Sequence, residues 1–302
     1  VLTRALCQRW LVRKGRIDEA ESSLQQLSSG AETQQTIAMI TRTTEEEKLI
    51  GGSSYWDCFK GTDFRRLEIA WCAWGIQPFS GLPMQGYNTY FFEQAGLPDT
   101  KAFDLSIGYY AIGFMGTVLS WFLVTWFGRR SIFIVGLLCM CVTLLTIGFV
   151  SLAPATNSAA IWAQSVLLVV WVFIYDISVG PVAWCIASEV SATRLRAPTI
   201  AIARNSFYIW SIVFGVATPY MLNPTEAGWK GKTGFFYGGT CFLALIWSYF
   251  RLPEMKGRTY EELNILFWKN VPARKFKNTH VDAYEDDQFV TATVQEVLEK
   301  KE

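Results

Sequence analysis

Apolar residues gather into six stretches of roughly membrane length, and the charged residues lie between them and at the two ends of the chain. A hydrocarbon core roughly 30 Å thick takes about 20 apolar residues per helix. The stretches predict spanning helices at about 67–92, 105–127, 131–152, 159–187, 199–222 and 233–252. The first is broken at its middle by Gln77-Pro78-Phe79-Ser80-Gly81-Leu82-Pro83, and the fourth contains Gly180-Pro181. Proline removes a backbone donor and glycine is a weak helix former. A freed backbone group facing lipid is costly, so such breaks belong where they line a cavity or are buried in protein. Each broken stretch opens a group of three, which is the pattern of inverted repeats that meet at a substrate site in secondary transporters.

The connections alternate in charge. One set holds Arg65 and Arg66, Arg129 and Arg130, Arg194 and Arg196, then Arg251, Lys256 and Arg258; the other is acidic, uncharged or mixed. Lys and Arg mark the cytoplasmic side, so both termini are expected there. The predicted organisation is a cytoplasmic helical segment at 1–64, six transmembrane helices over 65–252 and a cytoplasmic tail at 253–302. Helix starts are expected near Arg16–Leu27, at Thr43-Thr44-Glu45-Glu46-Glu47-Lys48 and at Thr259-Tyr260-Glu261-Glu262. Disorder is expected from about Lys275.

Composition agrees with an all-α membrane protein: 51% of residues are hydrophobic, 15% aromatic, and mean hydropathy is +0.21. The net charge of +1 offers no bulk field for nucleic acid. The single histidine, His280, lies in the polar tail, so a His-based metal site or catalytic triad is not expected. The seven cysteines have no CxxC spacing, and most lie in apolar runs as packing thiols. No nucleophile, nucleotide or metal motif supports an enzyme, and no cofactor is implied. The Arg/Lys-rich start has no apolar leader core. It begins at Val1 rather than Met, which suggests a fragment.

Several intramembrane polar residues have two readings. Gln77, at the first break, either binds a ligand hydroxyl or bonds to the broken backbone; Ser80 carries the same pair of readings. Asp176 lies five residues before Pro181. Intramembrane carboxylates usually line a pathway, so Asp176 is either part of a gate or cavity or the partner of a basic loop residue. Arg204 either snorkels to the interface or is a buried charge that influences ion coupling. Tyr87, Asn88 and Tyr90 either line an outer gate or form an interfacial belt. Gly234 and Gly238, four apart, allow close helix packing.

The motifs name a resemblance. Arg9-Trp10-Leu11-Val12-Arg13-Lys14-Gly15-Arg16, Gly128-Arg129-Arg130, Ser188-Glu189-Val190 with Arg194-Leu195-Arg196, and Pro253-Glu254-Met255-Lys256-Gly257-Arg258-Thr259 resemble the signatures of the major facilitator sugar porters. The resemblance extends from about Arg9 to Val281 and covers the C-terminal half of a twelve-helix transporter. Gly86-Tyr87-Asn88-Thr89-Tyr90-Phe91-Phe92 and Val271-Pro272-Ala273-Arg274-Lys275-Phe276-Lys277 are similar to the fungal maltose and α-glucoside permeases. That resemblance implies proton-coupled α-glucoside uptake at the plasma membrane by alternating access. It also implies protons as the coupling ion and a missing N-terminal six-helix half as partner.

The resemblance assigns Trp184 to the sugar, by stacking, with an interfacial belt as the alternative. It assigns Arg129, Arg130, Glu189, Arg194, Arg196, Glu254 and Arg258 to salt bridges that hold the outward-facing state; the alternative is positive-inside anchoring. Some positions depart from the family pattern. Pro78 and Pro83 stand where hexose porters carry sugar-binding amides, and Phe207 and Ser211 align with two further Asn positions. A site that loses these amides discriminates against its former ligand, which argues for a larger glycoside. The alternatives to transport are a sugar sensor and an inactive truncated remnant.

Overall fold

The computed structural model describes residues 11–12, 14–25, 37–38, 40–41, 54–154 and 157–279, and among them it is helical with no strand. The contacts divide the chain into two units. In the smaller unit, helix α1 (Ile17–Gln25) begins with Asp18 and Glu19 at its positive end. Ala20 is fully buried against Leu11 and Val12, with Ile40 beside them. The helix start expected at Thr43–Lys48 lies outside the described residues.

The larger unit, Ser54–Ala283, is the bundle. It opens with a 3-10 turn, Tyr55–Phe59, fixed by a capping box between Ser54 and Asp57. The following helices are α2 (Gly61–Phe79), α3 (Pro83–Gly86), α4 (Asn88–Ala95), α5 (Asp99–Trp126), α6 (Arg129–Val150) and α7 (Ser158–Ile177). Then come α8 (Val179–Val190), α9 (Arg196–Leu222), α10 (Thr233–Arg251) and α11 (Tyr260–Trp268).

By length and composition alone, four segments among the described residues are long and apolar enough to cross a membrane: α5, α6, α7 with α8, and α9; the stretches expected at 67–92 and 233–252 fall outside that set. The stretch expected at 67–92 is three helices, and the first two turns of α2 carry Asp63, Arg65, Arg66 and Glu68. In α10, glycines, Thr233, Tyr237, Thr240 and Ser248 dilute the apolar content. The second break also sits earlier than expected, at Ser178, with φ −124° and ψ −85°. Gly180 and Pro181 fall in the first turn of α8, where a missing backbone donor has no intrahelical partner to lose. Finally, Lys275–Thr279 is ordered rather than disordered. Phe276 is fully buried, its ring 5.1 Å from Phe267, and Arg258 donates to the carbonyls of Phe276, Lys277 and Thr279.

The core lies between α6, α7 and α8, where Phe133, Leu137, Met140, Leu144, Leu168, Trp171, Val172, Val182 and Ile186 are buried. Lipid is as apolar as these side chains, so close packing and not water exclusion must hold the helices together. The seam between α6 and α10 uses the glycine pair: a Cβ on Gly234 would lie 2.5 Å from the Leu144 carbonyl, and one on Gly238 would lie 2.7 Å from Leu145. The capping box of Thr259 and Glu262 starts α11 as expected.

Candidate functional site

The first break is held open by side chains from distant helices. Pro78 lies inside the last turn of α2, and Gly81, at φ +99°, turns the chain into Pro83 at the start of α3. Three carbonyls at the break find partners. The Ser80 hydroxyl donates to Gln77 O (2.8 Å), Thr240 of α10 donates to Phe79 O (2.7 Å), and Trp171 of α7 donates its indole N–H to Ser80 O (3.1 Å). Ser80 is fully buried and serves the broken backbone. This is how irregular backbone survives at membrane depth.

Gln77 points the other way. Its Oε1 accepts from the Tyr175 hydroxyl at 2.8 Å, which fixes the amide plane. The ring of Tyr175 stacks on Trp171 at 5.5 Å and 14°. The Gln77 Nε2 donor is buried and has no partner among the described residues. One turn back on α2, the buried Trp74 also leaves its Nε1 donor without a partner.

Trp184 of α8 meets Trp74 edge-on at 4.3 Å and is itself 56% exposed. Arg204 lies against both rings. Its guanidinium is 4.3 Å from the Trp74 ring, 4.9 Å from Trp184, 4.5 Å from Phe207 and 5.0 Å from Tyr208. Each ring face attracts the cation, more strongly where water is displaced. Among the described residues no carboxylate pairs with Arg204, so aromatic faces hold the charge.

Asp176 follows Tyr175 on α7 and lies against two glycines of α5. A Cβ on Gly113 would fall 2.5 Å from its Oδ2, and one on Gly116 would fall 3.3 Å from its Cβ. Among the described residues no cation forms an ion pair with Asp176. Tyr87 donates to Gly215 O of α9 at 3.2 Å. Asn88 is buried, its Oδ1 taken by the Thr89 amide (2.6 Å) and hydroxyl, with Nδ2 unpartnered. The breaks thus bring Gln77, Trp184 and Arg204 into one neighbourhood, linked through Trp74 and Tyr175.

The charged set at the ends of the helices does not form one network. Arg129 and Glu189 do pair, Nη2 to Oε1 at 2.9 Å, joining the start of α6 to the end of α8. The other members find separate partners. Arg130 donates to Tyr249 O (2.8 Å), and Arg196 lies over the Tyr260 ring at 4.4 Å. The Glu254 carboxylate accepts from the amides of Met255 and Lys256, above Gly128, where no Cβ would fit. Arg258 pairs with Glu262 at 3.7 Å besides its three carbonyl contacts. Arg194 reaches Asp57 (3.6 Å) in the opening 3-10 turn and Asp63 (3.9 Å) in the first turn of α2. The Lys60 hydrogen bond and the Arg194 charge hold the Asp57 carboxyl below its ordinary value, while burial raises that of Asp63.

Residues 5–267 match the model of a family described as Sugar (and other) transporter. The chain belongs to this sugar transporter family. Among curated proteins it is 38% identical over 283 residues to the maltose permease MAL61 of Saccharomyces cerevisiae, covering 91% of this chain and 46% of that protein. It is 39% identical over 283 residues to a general alpha-glucoside permease of the same species, with the same coverage. The chain spans about half the length of the curated relatives it matches. Among solved structures, the proton:xylose symporter XylE bound to 6-bromo-6-deoxy-D-glucose shares the fold, with a TM-score of 0.68 at 24% identity over 86% of this chain and 54% of that one. The inward-open xylose transporter XylE of E. coli gives a TM-score of 0.57. The fold is therefore half of a major facilitator bundle, and the chain is a multi-pass membrane protein of a family of transporters rather than enzymes.

For a sugar transporter family member, sequence reasoning missed the residues that place the named ones. Tyr175 and Trp171 orient the break, Trp74 and Tyr208 complete the rings around Arg204, and Asp57 and Asp63 receive Arg194. One available signal was that Trp171 and Tyr175 are four apart, immediately before Asp176. Aromatic residues with polar handles, at helical spacing beside an intramembrane charge, are placed to make buried hydrogen bonds.

Proposed function

We propose that this chain is the C-terminal six-helix half of a proton-coupled α-glucoside transporter of the plasma membrane, with both ends cytoplasmic. The half-length matches to maltose and alpha-glucoside permeases support that reading. The observation that carries the sugar site is the Gln77 amide, locked by Tyr175, whose Nε2 has no acceptor among the described residues. A locked amide with a free donor suits a sugar hydroxyl, and it gives up little freedom on binding. Trp184 offers an exposed indole face to the sugar's C–H surface. Tyr87 and Asn88 close the outer end of the same wall. Asp176 and Arg204 are the charges that respond to the coupling proton. The pair Arg129–Glu189 biases the gate at the cytoplasmic ends, where Arg130, Arg194, Arg196, Glu254 and Arg258 anchor the loops. The second wall of the cavity comes from an N-terminal six-helix half.

The test is uptake of labelled maltose by yeast cells lacking α-glucoside permeases that express this chain joined to an N-terminal half. Saturable, proton-dependent uptake that Gln77→Ala weakens at equal surface abundance supports the reading. Uptake of a monosaccharide alone would replace the α-glucoside with a hexose. No uptake of any sugar, with the protein at the surface, would favour a sensor or an inactive remnant.

A further inference from the structure

A second recess lies on the flank of α2 away from Gln77. It is a cleft of about 280 Å³ floored by α2 and walled by α9 and α10; Trp71, Gly75, Phe79, Ser206, Trp210 and Trp247 define it. At 100° per residue, Trp71, Gly75 and Phe79 lie on one side of α2, while Ala70, Trp74 and Gln77 lie on the other. Gln77 and Trp74 face α7 and α8 through Tyr175 and Trp184. The cleft is thus separate from the site proposed for the sugar.

Three features describe what it accepts. Among the described residues no charged side chain lines it, and its walls carry three indoles and a phenyl ring, which are flat, apolar surfaces. Its rim includes Leu243, which is 66% exposed, so the opening is lateral, between helices of a membrane protein. At one end, Glu68 and Arg251 form a two-pronged ion pair one turn beyond Cys72 and Trp247. That pair commits the Arg251 guanidinium to Glu68.

The third feature is Ser206, which is fully buried and lines the cleft, yet its hydroxyl has no partner among the described residues. Thr143, Ser165, Ser191, Thr218 and Ser248 all donate to the carbonyl four residues back in their own helices. Ser206 forgoes that bond and turns toward α2, where a Cβ on Gly75 would lie 2.6 Å from its Oγ. An unpaired hydroxyl away from water is costly and calls for a partner.

We propose that this cleft is a binding site for a sterol, a rigid planar lipid with a single hydroxyl, which hydrogen-bonds Ser206 while the ring system lies among Trp71, Trp210 and Trp247. A sterol matches the flat apolar walls and supplies one hydroxyl to the one that lacks a partner. A diacyl phospholipid matches neither feature. The proposal rests on membrane insertion and not on the sugar site.

The experiment is photolabelling of the chain in membrane vesicles with a diazirine-bearing cholesterol, followed by mapping of the adducts. Adducts are expected on peptides containing Trp71, Trp210 or Trp247, and excess unlabelled cholesterol should displace them. Ser206→Ala should lower labelling there about threefold to tenfold, the value of one neutral hydrogen bond. Ala244→Phe, which places a phenyl ring in the cleft from the α10 wall, should abolish it while labelling elsewhere persists. Displacement by phosphatidylcholine as effective as by cholesterol would overturn the proposal, as would labelling spread evenly over α5. So would labelling that is unchanged by both substitutions, or lost only when an N-terminal half covers the cleft.

Discussion

Single side chains set the chemistry of this wall. Gln77 stood out in the sequence as a polar amide beside two prolines in an apolar run. Its orientation was not legible, since the hydroxyl that fixes it belongs to Tyr175, on a helix 98 residues away. Tyr175→Phe leaves the Gln77 carbonyl oxygen buried without its donor and lets the amide rotate. The expected outcome is a rise in the Michaelis constant for sugar of about threefold to tenfold, the scale of one hydrogen bond. It would be measured as initial uptake rates in the two-half transporter, with surface abundance held equal. Arg204 provides a sharper contrast. Four rings hold a planar guanidinium, and lysine keeps the charge but loses the planar stacking. If the rings and the charge both matter, Arg204→Lys and Arg204→Ala should each abolish proton-driven accumulation, with counterflow of sugar retained. Full accumulation by Arg204→Lys would show that charge alone suffices.

At the scale of elements, the first break depends on donors that neighbouring helices lend it. Trp171→Phe keeps an aromatic ring but strands the Ser80 carbonyl and leaves a smaller side chain in a fully buried site. The cost of an unpaired buried carbonyl is about 1–3 kcal/mol, so the thermal midpoint of the detergent-solubilised protein should fall by several degrees. The second break behaves differently. Its proline stood out in the sequence, yet the chain turns at Ser178, and Pro181 sits in the first turn of α8. A first-turn proline costs the helix no hydrogen bond. Pro181→Ala should therefore leave the midpoint nearly unchanged. Gly180→Ala should lower it, because the new Cβ would press on the Tyr175 ring at 3.2 Å. A large loss from Pro181→Ala, measured in the same melt, would place the break where the sequence first suggested. The helices with long apolar runs were legible because span length is set by the bilayer. The ordered stretch through Thr279 was not, because Lys275–Thr279 reads as polar until Phe276 is seen docked on Phe267 and Arg258 on the carbonyls.

The whole molecule is unevenly covered. Over half of the apolar window of α6 is buried (56%), against 22% in α5 and 17% in α9. Lipid can cover such faces, and so can a second bundle; the half-length match to the permeases favours the latter for part of them. The proposed sugar site leans the same way, since Trp184 and the Gln77 donor belong to a single wall. Rocking of two halves about such a wall is how the substrate would be exposed first to one side and then to the other. The chain expressed alone should insert and bind sugar weakly or not at all, and it should give no saturable uptake in proteoliposomes. Supplying an N-terminal half should restore uptake, and single cysteines at Tyr110 or Ile212, both exposed here, should then become shielded from a thiol reagent. In the restored transporter, Glu189→Gln breaks the ion pair to Arg129 across the ends of α6 and α8. Such a pair biases the equilibrium between states without touching the sugar. The variant should shift reagent access at those cysteines while leaving sugar affinity nearly unchanged. A change in affinity without a change in access would instead place Glu189 in the binding site.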